Sequence, residues 1–596
     1  MRVKDQELRN IRRSRAKSFA ISPSKVIGPI LLLILLTLIA GTFLSCGSGK
    51  YGFHPDNIYW RDDDKQNIPE PKKIDRKLAW VSINRTGFDQ IEEMLDIERN
   101  LNKLSGSPKQ SYNINSFDEA PNSSWFTNRH GLTPMSAEEL SRGRYLSGGP
   151  DTTAPWKVFR PKVGGATPGF WIEDSRGDQY IIKFDPPGNP EMATAAAAMA
   201  TRYLYACGYN VPEETISSFK RSELTIKEGA KIKEFGKKRP FTDADLDEIL
   251  ARAHAESDGT YRCLASRALV NYKGPFMYKG RRTDDPNDWC PHEHRRELRG
   301  LYVISSFINH YDTKDLNTFD SYVEENGRRF MKHFLLDFGS TFGSDGNGPK
   351  PPIKGYANYF DLRDVLVSLV TLGTKEWAWQ NAKPPVYPSI GYFESEIFEP
   401  NKWDPIIPNP AYENMTNRDA YWGAKIVMAF RDDDLREIVK AGQFSNPEAE
   451  EFLLKTLIER RDKIGRHWFG KVSPLDRFSV ADSDAGMEIG FTDLAVEYGL
   501  ADGTKRNYKF SIMSGGRQLI SPRSIVGNSL TVTNSDKDAM KAQYENSGKN
   551  DAEDHLFELA ILTSRGSGKS FKPTNLWLWY HPDKNSFQLV GLEHLD

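Results

Sequence analysis

Two carboxylates and one amide in the second half of the chain are the side chains best suited to chemistry. Asp312 and Asn317 stand five positions apart in the segment HYDTKDLNTFD, and Asp337 ends the apolar run FLLD. In a loop, this spacing lets the carboxylate face an acceptor hydroxyl while the amide oxygen turns toward a metal ion. A carboxylate at the tip of a strand can bind Mg²⁺. Asp315 lies in the same loop and is an alternative candidate for the base.

Residues suited to holding phosphate lie upstream of this loop. Lys183 follows two isoleucines in QYIIKFDP, and a lysine among apolar residues is costly to bury unless a charged group such as a phosphate satisfies it. Glu191, at the start of an alanine-rich run, is expected to hold Lys183 in place when no ligand is bound. The glycine turn contributes Gly164, Gly165 and Gly169, where missing side chains let backbone N–H groups approach phosphate oxygens.

The elements that must position these residues can be predicted from local patterns. WKVFRPK, FWIED and QYIIKFDP predict three consecutive antiparallel strands. The run from 192 to 207 predicts a helix that stops at Gly208, and 297–309 predicts a second helix leading into the Asp312 loop. Glu-Glu-Asn-Gly at 324–327 indicates a hairpin that ends in Asp337-Phe338-Gly339.

The regions on either side of these elements differ in composition and in predicted secondary structure. Residues 47–150 are rich in polar and turn-forming residues and are expected to form an irregular extension wrapped on a later core, with helices near 90–104 and 136–142. Residues 358–470 are expected to be mostly helical, notably 417–430 and 446–468. From 474 onward, short alternating runs predict a β-rich domain, most simply a sandwich.

The N-terminus indicates export or anchoring. Eight basic residues lie within the first 25, and Val26–Ser45 contains no charge over a length that could span a bilayer core. The basic end is expected to stay in the cytoplasm, which places the rest of the chain outside it. Small residues around Cys46 resemble a bacterial lipoprotein cleavage box, so Cys46 is the candidate lipidation site, and an uncleaved anchor is the alternative. The expected location is therefore membrane-tethered and extracytoplasmic, periplasmic or at the cell surface.

Composition narrows the classes of function. The formal charge of the 596 residues is -1, which disfavours a general nucleic-acid binder. The hydrophobic content of 38% is that of a folded protein. If Cys46 is lipidated, the remaining three of the four cysteines cannot all pair, which excludes a disulfide scaffold.

The lysine strand, the alanine-rich helix, the Asp-x4-Asn loop and the Asp-Phe-Gly run follow one another in an order that resembles the protein-kinase-like fold. The resemblance covers roughly 156–469 and is to divergent branches, such as the HipA-type, phosphoinositide-kinase-type and CotH-type kinases. It implies an α+β fold with a two-lobed core, a β-rich N-lobe and a helical C-lobe. The full expected organisation is a signal or anchor at 1–46, the extension at 47–150, the N-lobe at 151–275, the C-lobe at 276–472 and a C-terminal all-β domain at 473–596.

The resemblance also implies a role for each candidate residue. Lys183 would contact the α- and β-phosphates of ATP, and Glu191 would orient Lys183. Asp312 would be the catalytic base, and Asn317 and Asp337 would bind Mg²⁺. Three departures separate the chain from ordinary protein kinases. The loop begins with Asn-His-Tyr-Asp where those kinases have His-Arg-Asp, and the glycine turn is not Gly-x-Gly-x-x-Gly. No Ala-Pro-Glu segment follows Asp337-Phe338-Gly339.

The function expected from the sequence is Mg²⁺-dependent transfer of the ATP γ-phosphoryl group to a hydroxyl of a protein, lipid or sugar. Two alternatives come from other classes. One is a catalytically inactive kinase-fold binding protein. The other is a structural envelope lipoprotein whose C-terminal domain does the binding.

Overall fold

The computed structural model describes residues 53–74, 78–106, 108–145, 147–162, 167–234, 237–548, 551–566 and 568–596. His54–Asp596 form one compact unit, a mixed α+β structure with several sheets. Within the described ranges no helix has the length and apolar character needed to cross a bilayer. The segment Val26–Ser45 and the lipidation candidate Cys46 lie outside the described residues. The domain boundaries proposed inside the unit stay predictions.

The extension contains the two helical regions expected from the sequence. Its helices are α1 Leu78–Ile83, α2 Asp89–Leu95, α3 Ile97–Leu104 and α4 Ala137–Arg142. A π-helical turn, Asn84–Phe88, joins α1 to α2. Helix α4 starts at a capping box in which Ser136 accepts from the Glu139 backbone N–H, so the local sequence alone determines its first turn.

A six-stranded sheet follows the extension, in the order β4-β8-β3-β2-β1-β5. The strands β1–β3 pair antiparallel, as predicted. The strands and helices of this region are β1 Trp156–Pro161, β2 Gly169–Glu173, β3 Gln179–Phe184, α5 Met192–Cys207, β4 Glu214–Lys220, β5 Leu224–Ile226, β6 Lys231–Glu234, β7 Lys237–Pro240, α6 Asp243–Leu250 and β8 Thr260–Arg267. Helix α5 is buried on nearly every side because its small alanines let neighbouring elements approach all round it.

The next region carries the Asp312 loop. Its elements are β9 Tyr272–Gly274, α7 Arg296–Phe307, β10 Thr318–Glu325 and β11 Arg328–Leu335. The three strands form one sheet, and Asn326 and Gly327 both have positive φ in the tight turn between β10 and β11, which confirms the predicted hairpin. Helix α7 is buried along its whole length and ends just before the loop.

The region after the hairpin is mostly helical, as predicted. Its helices are α8 Leu362–Val370, α9 Pro410–Glu413, α10 Asn417–Ala429, α11 Asp432–Lys440 and α12 Pro447–Trp468. Helices α7 and α10 pack closely at two glycines: a Cβ on Gly300 would overlap the Trp422 ring, and one on Gly423 would meet the Gly300 carbonyl. This close approach fixes α7 against the helical part of the unit.

The C-terminal region is built from two sheets, in the orders β12-β13-β16 and β15-β14-β17-β18-β19. Its elements are β12 Leu475–Ser483, β13 Gly486–Asp493, α13 Leu494–Glu497, β14 Asn507–Ser514, β15 Arg517–Ile525, β16 Ser529–Thr533, α14 Asn534–Asn546, β17 Leu556–Ser564, β18 Thr574–His581 and β19 Ser586–His594. The short alternating runs that predicted this region form the strands β13, β14, β16, β17, β18 and β19. The description as all-β is wrong, because the Thr533–Asp536 capping box starts α14 and two buried residues, Met540 and Tyr544, hold this helix on the sheet.

A buried carboxylate, Asp118 of the extension, joins distant parts of the chain. Arg296 of α7 donates to Asp118 Oδ1 at 2.9 Å, and Arg418 of α10 donates to the same oxygen at 3.0 Å. His594 Nδ1 of β19 lies 2.9 Å from Asp118 Oδ2. Burial alone would raise the pKa of Asp118, but Arg418 and Arg296 hold it well below its usual range. The extension is therefore part of the folded unit, as the sequence predicted.

Replacing Asp118 with Ala should lower the free energy of unfolding by about 3–5 kcal/mol, because two buried arginines would each lose one of their carboxylate partners. The measurement is equilibrium urea unfolding. Glu324→Ala is the matched control, since it removes a carboxylate from a pair with Arg329 in which both side chains are exposed, and it should cost at most about 1 kcal/mol. Equal losses in the two variants would contradict a buried hub at Asp118.

Candidate active site

Lys183 and Asp337 meet across the junction between the six-stranded sheet and the segment after β11. Lys183 Nζ donates to Asp337 Oδ1 at 2.8 Å. The Lys183 side chain is mostly buried, whereas that of Asp337 is 44% exposed. Burial alone would lower the pKa of Lys183, but Asp337 and Glu214 raise it. The pair thus joins a mostly buried ammonium group to a carboxylate that solvent can reach.

The backbone presents Asp337 in an unusual conformation. Its φ of 61° lies in the left-handed region, which is uncommon for a residue other than glycine. The Lys183 charge holds the pKa of Asp337 well below its usual range, and Lys162 and Lys314 act in the same direction. The turn that follows is attached to helix α5, because Thr341 Oγ1 donates to the Ala196 carbonyl at 3.2 Å. Asp337 is therefore ionised and held in place from the α5 side.

The predicted Asp-x4-Asn loop forms a closed local arrangement. The Asn317 amide nitrogen donates to both the backbone oxygen and the Oδ2 of Asp312 at 2.9 Å. Lys314 Nζ lies 2.8 Å from Asp312 Oδ1. The Asn317 amide nitrogen is thus occupied by Asp312, which would leave its amide oxygen as the atom to face a metal ion. Lys314 was not among the site residues predicted from the sequence, and its position two residues after Asp312 was the available signal.

Burial raises the pKa of Asp312, which makes its carboxylate more basic. The nearby charge of Asp337 acts in the same direction, and Lys314 opposes it. The pKa of Asp312 is raised and that of Asp337 is lowered, so the two carboxylates differ in basicity. One is the stronger proton acceptor, and the other stays ionised over a wide pH range.

Asp315, the alternative base, has a structural role. Both of its oxygens accept from the Arg85 guanidinium, at 3.1 and 3.2 Å, and Oδ1 also accepts from the Tyr278 backbone N–H at 2.7 Å. The residue is buried. A carboxylate with its oxygens occupied by an arginine cannot face an acceptor hydroxyl, so the loop offers Asp312 for that role.

The expected contact between Glu191 and Lys183 is not formed, and this prediction is corrected. Both Glu191 oxygens accept from the Ser445 backbone N–H, at 3.0 and 3.1 Å. Glu191 has a φ of 66° at the residue before α5, which directs its side chain toward the loop before α12 instead of toward β3. The second carboxylate that acts on Lys183 is Glu214.

Glu214 is buried at the start of β4, and Thr201 Oγ1 of α5 donates to its Oε2 at 2.6 Å. Burial raises its pKa, and the Lys183 charge opposes that shift. Sequence reasoning missed this residue because β4 reaches β3 only through β8, a strand that comes much later in the chain. The available sequence signal for Glu214 was a glutamate at the first position of a strand, where a buried carboxylate requires a partner.

Lys162, directly after β1, is a further cation near the pair. Its Nζ donates to the Thr167 carbonyl at 3.0 Å. Burial lowers the pKa of Lys162 to about 8, the like charge of Lys183 adds to this effect, and Asp337 opposes it. Lys162, Lys183 and Lys314 therefore surround Asp337 with three ammonium groups.

The glycine turn is only partly described. Gly164 and Gly165 lie outside the described residues. Gly169 begins β2 and pairs with Lys183 in the strand ladder. A Cβ on Gly169 would overlap the Ile182 carbonyl oxygen, so close strand pairing is a sufficient reason for this glycine. Its predicted contact with phosphate stays a prediction.

The site chemistry suits a polyphosphate bound with a divalent cation. The three lysines would supply donors and positive charge to phosphates, and the Asp337 carboxylate and the Asn317 amide oxygen are the residues that would hold Mg²⁺, which prefers hard oxygen ligands. Among the described residues, no group of three or more His, Cys, Asp and Glu side chains is arranged to hold a metal ion.

No family model matches this sequence, and no curated protein matches it. Among solved structures, it is similar to a proinflammatory kinase, CtkA, of Helicobacter pylori, with 14% identity, a TM-score of 0.29 and coverage of 52% of this chain and 94% of that one. It is also similar to the Golgi casein kinase, with 12% identity, a TM-score of 0.28 and coverage of 68% and 96%. The Mn/ADP-bound form of the Golgi casein kinase matches with 10% identity, a TM-score of 0.25 and coverage of 68% and 97%. Because these TM-scores are low, the proposal below rests on the geometry of the site.

The low pKa of Lys162 leads to a direct test. With a pKa of about 8, half of its side chains should be neutral at pH 8, against under about 1% for an ordinary lysine. Amine acetylation read by mass spectrometry across pH should therefore reach half its maximal rate near pH 8 at Lys162, with the exposed Lys402 as internal reference. Lys183→Met should move that midpoint to higher pH, and an unchanged midpoint would contradict the predicted coupling of the two lysines.

Proposed function

We propose that this protein is an atypical kinase-like phosphotransferase that moves the γ-phosphoryl group of ATP to a hydroxyl in the presence of Mg²⁺. One observation carries the proposal: Lys183 on β3 meets Asp337 at 2.8 Å beside an Asp312 carboxylate held by Asn317 and Lys314. These residues come from a strand, a loop and a post-hairpin turn that lie far apart in sequence. A scaffold has no physical need to bring a base, an amide ligand, an ionised carboxylate and three lysines to one place.

Each group has a task that matches its environment. Lys183 and Lys162 bind phosphate oxygens, and Asp337 and the Asn317 amide oxygen hold the metal ion that ATP carries. Asp312 accepts the proton of the acceptor hydroxyl, because burial raises its pKa while Asp337 stays ionised. Lys314 keeps the Asp312 carboxylate oriented and offsets negative charge beside it. The bound metal ion would neutralise charge on the transferred group.

The Lys183–Asp337 ion pair must open for this reaction, because both groups are needed by the nucleotide and its metal ion. Asp337 is the more accessible partner, and its turn is connected to α5 by Thr341. Glu214 remains beside Lys183 as a second counter-charge when Asp337 turns to a metal ion. The buried lysine thus keeps an anionic neighbour in both states, which limits the cost of releasing Asp337.

The finer architecture belongs to the same proposal. We assign the six-stranded sheet with α5 to a β-rich N-lobe and the α7–α12 region to a helical C-lobe, with the site between Lys183 and Asp312. The support is the order of the elements and the meeting of their side chains at Asp337. We also propose that the protein is membrane-tethered and extracytoplasmic through Val26–Ser45 or a lipid on Cys46, and that its acceptor is a protein, lipid or sugar hydroxyl.

Nucleotide binding is tested by thermal unfolding with and without Mg-ATP. At a hundredfold excess over the dissociation constant, binding to the native state should stabilise it by about 2.7 kcal/mol. Lys183→Met and Asp337→Asn should lose this stabilisation, because each removes a group that contacts the phosphates or their metal ion. Glu191→Gln is the matched control and should keep it, since Glu191 contacts Ser445. No stabilisation of the parent protein would contradict the proposal.

Catalysis is tested by ADP formation and by phosphate incorporation detected with mass spectrometry. Asp312→Asn should lower turnover by about 10²–10⁴-fold, the usual contribution of a general base, while the Mg-ATP thermal shift persists. A parent protein that binds Mg-ATP and forms no ADP would instead be the inactive kinase-fold binding protein.

The pH profile gives an independent test of the base. Because burial raises the pKa of Asp312, activity should fall on the acid side at a pH above the ordinary aspartate value of about 3.9. Lys314→Met removes the charge that opposes this shift, so the acid limb should move to higher pH. A limb that stays in place would show that Asp312 is not the titrating base.

A further inference from the structure

Helices α1, α2, α3 and α8 expose large apolar side chains, and this surface is here called the outer apolar face. In α1 and α2 the exposed residues recur as one stripe: Trp80, Ile83, Phe88, Ile91 and Leu95. The steps of three and four residues are those of an α-helical face, and the single step of five spans the π-helical turn. The π turn thus keeps the stripe continuous where a regular helix would rotate it away.

Helix α3, which is separated from α2 by Asp96 alone, and the α8 segment add two further rows of exposed apolar residues. Helix α3 exposes Ile97, Leu101 and Leu104 at helical spacing, with Leu104 84% exposed. The α8 segment exposes Tyr359, Phe360, Val365, Leu366, Leu369 and Val370. Gln90 joins α2 to the start of α8, since it donates to the Phe360 carbonyl at 2.7 Å and accepts from the Leu362 N–H at 3.0 Å. So many large apolar side chains on adjoining helices exceed the scattered exposure of an ordinary protein surface.

The chain outside the described residues indicates what covers this face. Val26–Ser45 is an uncharged segment long enough to span a bilayer, and seven residues separate it from Phe53. The eight Cα-to-Cα steps from Ser45 to Phe53 reach at most about 29 Å. Whether that segment stays in the membrane or Cys46 carries a lipid, the start of the folded unit is kept close to a bilayer. An aromatic group such as Trp80 or Tyr359 suits the boundary between lipid headgroups and water.

We propose that the outer apolar face of α1–α3 and α8 lies on the surface of a lipid bilayer. The bilayer is expected to be zwitterionic, because residues 78–104 contain five acidic and three basic side chains and would be repelled by anionic headgroups. The Arg85–Asp315 ion pair, at 3.1 Å, connects the π turn of this face to the Asp312 loop. Membrane contact would therefore set the orientation of the site toward the bilayer. This inference rests on the membrane tether of the proposed function and not on phosphoryl transfer.

The test uses the full chain reconstituted into phosphatidylcholine vesicles, with a polarity-sensitive nitrobenzoxadiazole label on one introduced cysteine. Leu95→Cys and Leu369→Cys report on the face, and Val526→Cys is the matched control, since Val526 is also highly exposed but lies in a turn of the C-terminal sheets. Cys207, Cys263 and Cys290 are buried, so the labelled parent chain supplies the background from Cys46.

The expected result is a blue-shifted emission at Leu95→Cys and Leu369→Cys and an aqueous emission at Val526→Cys. Adding Phe88→Glu to the Leu95→Cys chain should remove the shift, whereas adding Val526→Glu should leave it. Aqueous emission at both face positions would overturn the proposal and direct the search to a protein partner. A shift at all three positions would also overturn it, since that would report general embedding. A larger shift on vesicles with anionic lipid would overturn the assignment to a zwitterionic surface.

Discussion

Three arginines at the beginning of α7 are buried, and the arrangement of the whole unit depends on satisfying them. Arg295, Arg296 and Arg299 are essentially inaccessible to solvent. An unpaired buried charge is very costly. Arg295 lies 3.3 Å from the nearby Glu297, whereas Arg296 and Arg299 depend on carboxylates from distant segments. Asp118 comes from the extension and Asp419 from α10, where it lies 2.8 Å from Arg296 and 3.1 Å from Arg299. These contacts draw the extension and the helical region around α7.

The same arrangement determines where the candidate site forms. Helix α7 ends at Phe307, and the loop that contains Asp312 begins immediately afterwards. The glycine contact between α7 and α10 holds α7 at Gly300, and Arg85 of the extension holds the loop through Asp315. A buried structural network therefore supports a more accessible set of chemical groups. This division explains why two aspartates in one short loop, Asp312 and Asp315, have different partners.

The electrostatic balance of the site is its second organising feature. Three lysines surround Asp337, while Asp312 is shielded by Lys314 and Asn317. Without a ligand, the three lysines are matched by three carboxylates, Asp312, Asp337 and Glu214. A polyphosphate bound with a divalent cation would bring charges of both signs, so that Lys183 and Asp337 would each keep an oppositely charged partner when their ion pair opens. The outer apolar face adds a separate constraint, because the π turn that keeps its stripe continuous also carries the arginine that holds the Asp312 loop.

Local patterns in the sequence determined the element types. The strands β1–β3, helices α5, α7, α10 and α12 and the Asn326-Gly327 hairpin follow from alternation, helical spacing and turn residues, which act over a few positions. Two C-terminal strands, β12 and β15, were missed because they are largely exposed and lack an alternating pattern. Helix α14 was missed because its apolar face consists of few residues.

Lys183, Asp312, Asn317 and Asp337 could be selected from the sequence because their residue types and spacing are unusual. Only the tertiary structure decided their partners. Lys183 pairs with Asp337 and not with Glu191, and Glu214 is its second carboxylate. Arg85 binds Asp315, and Lys162 adds a cation near Asp337. Ion pairs depend on distances between atoms, and strand order and helix packing set those distances over separations that no local pattern records.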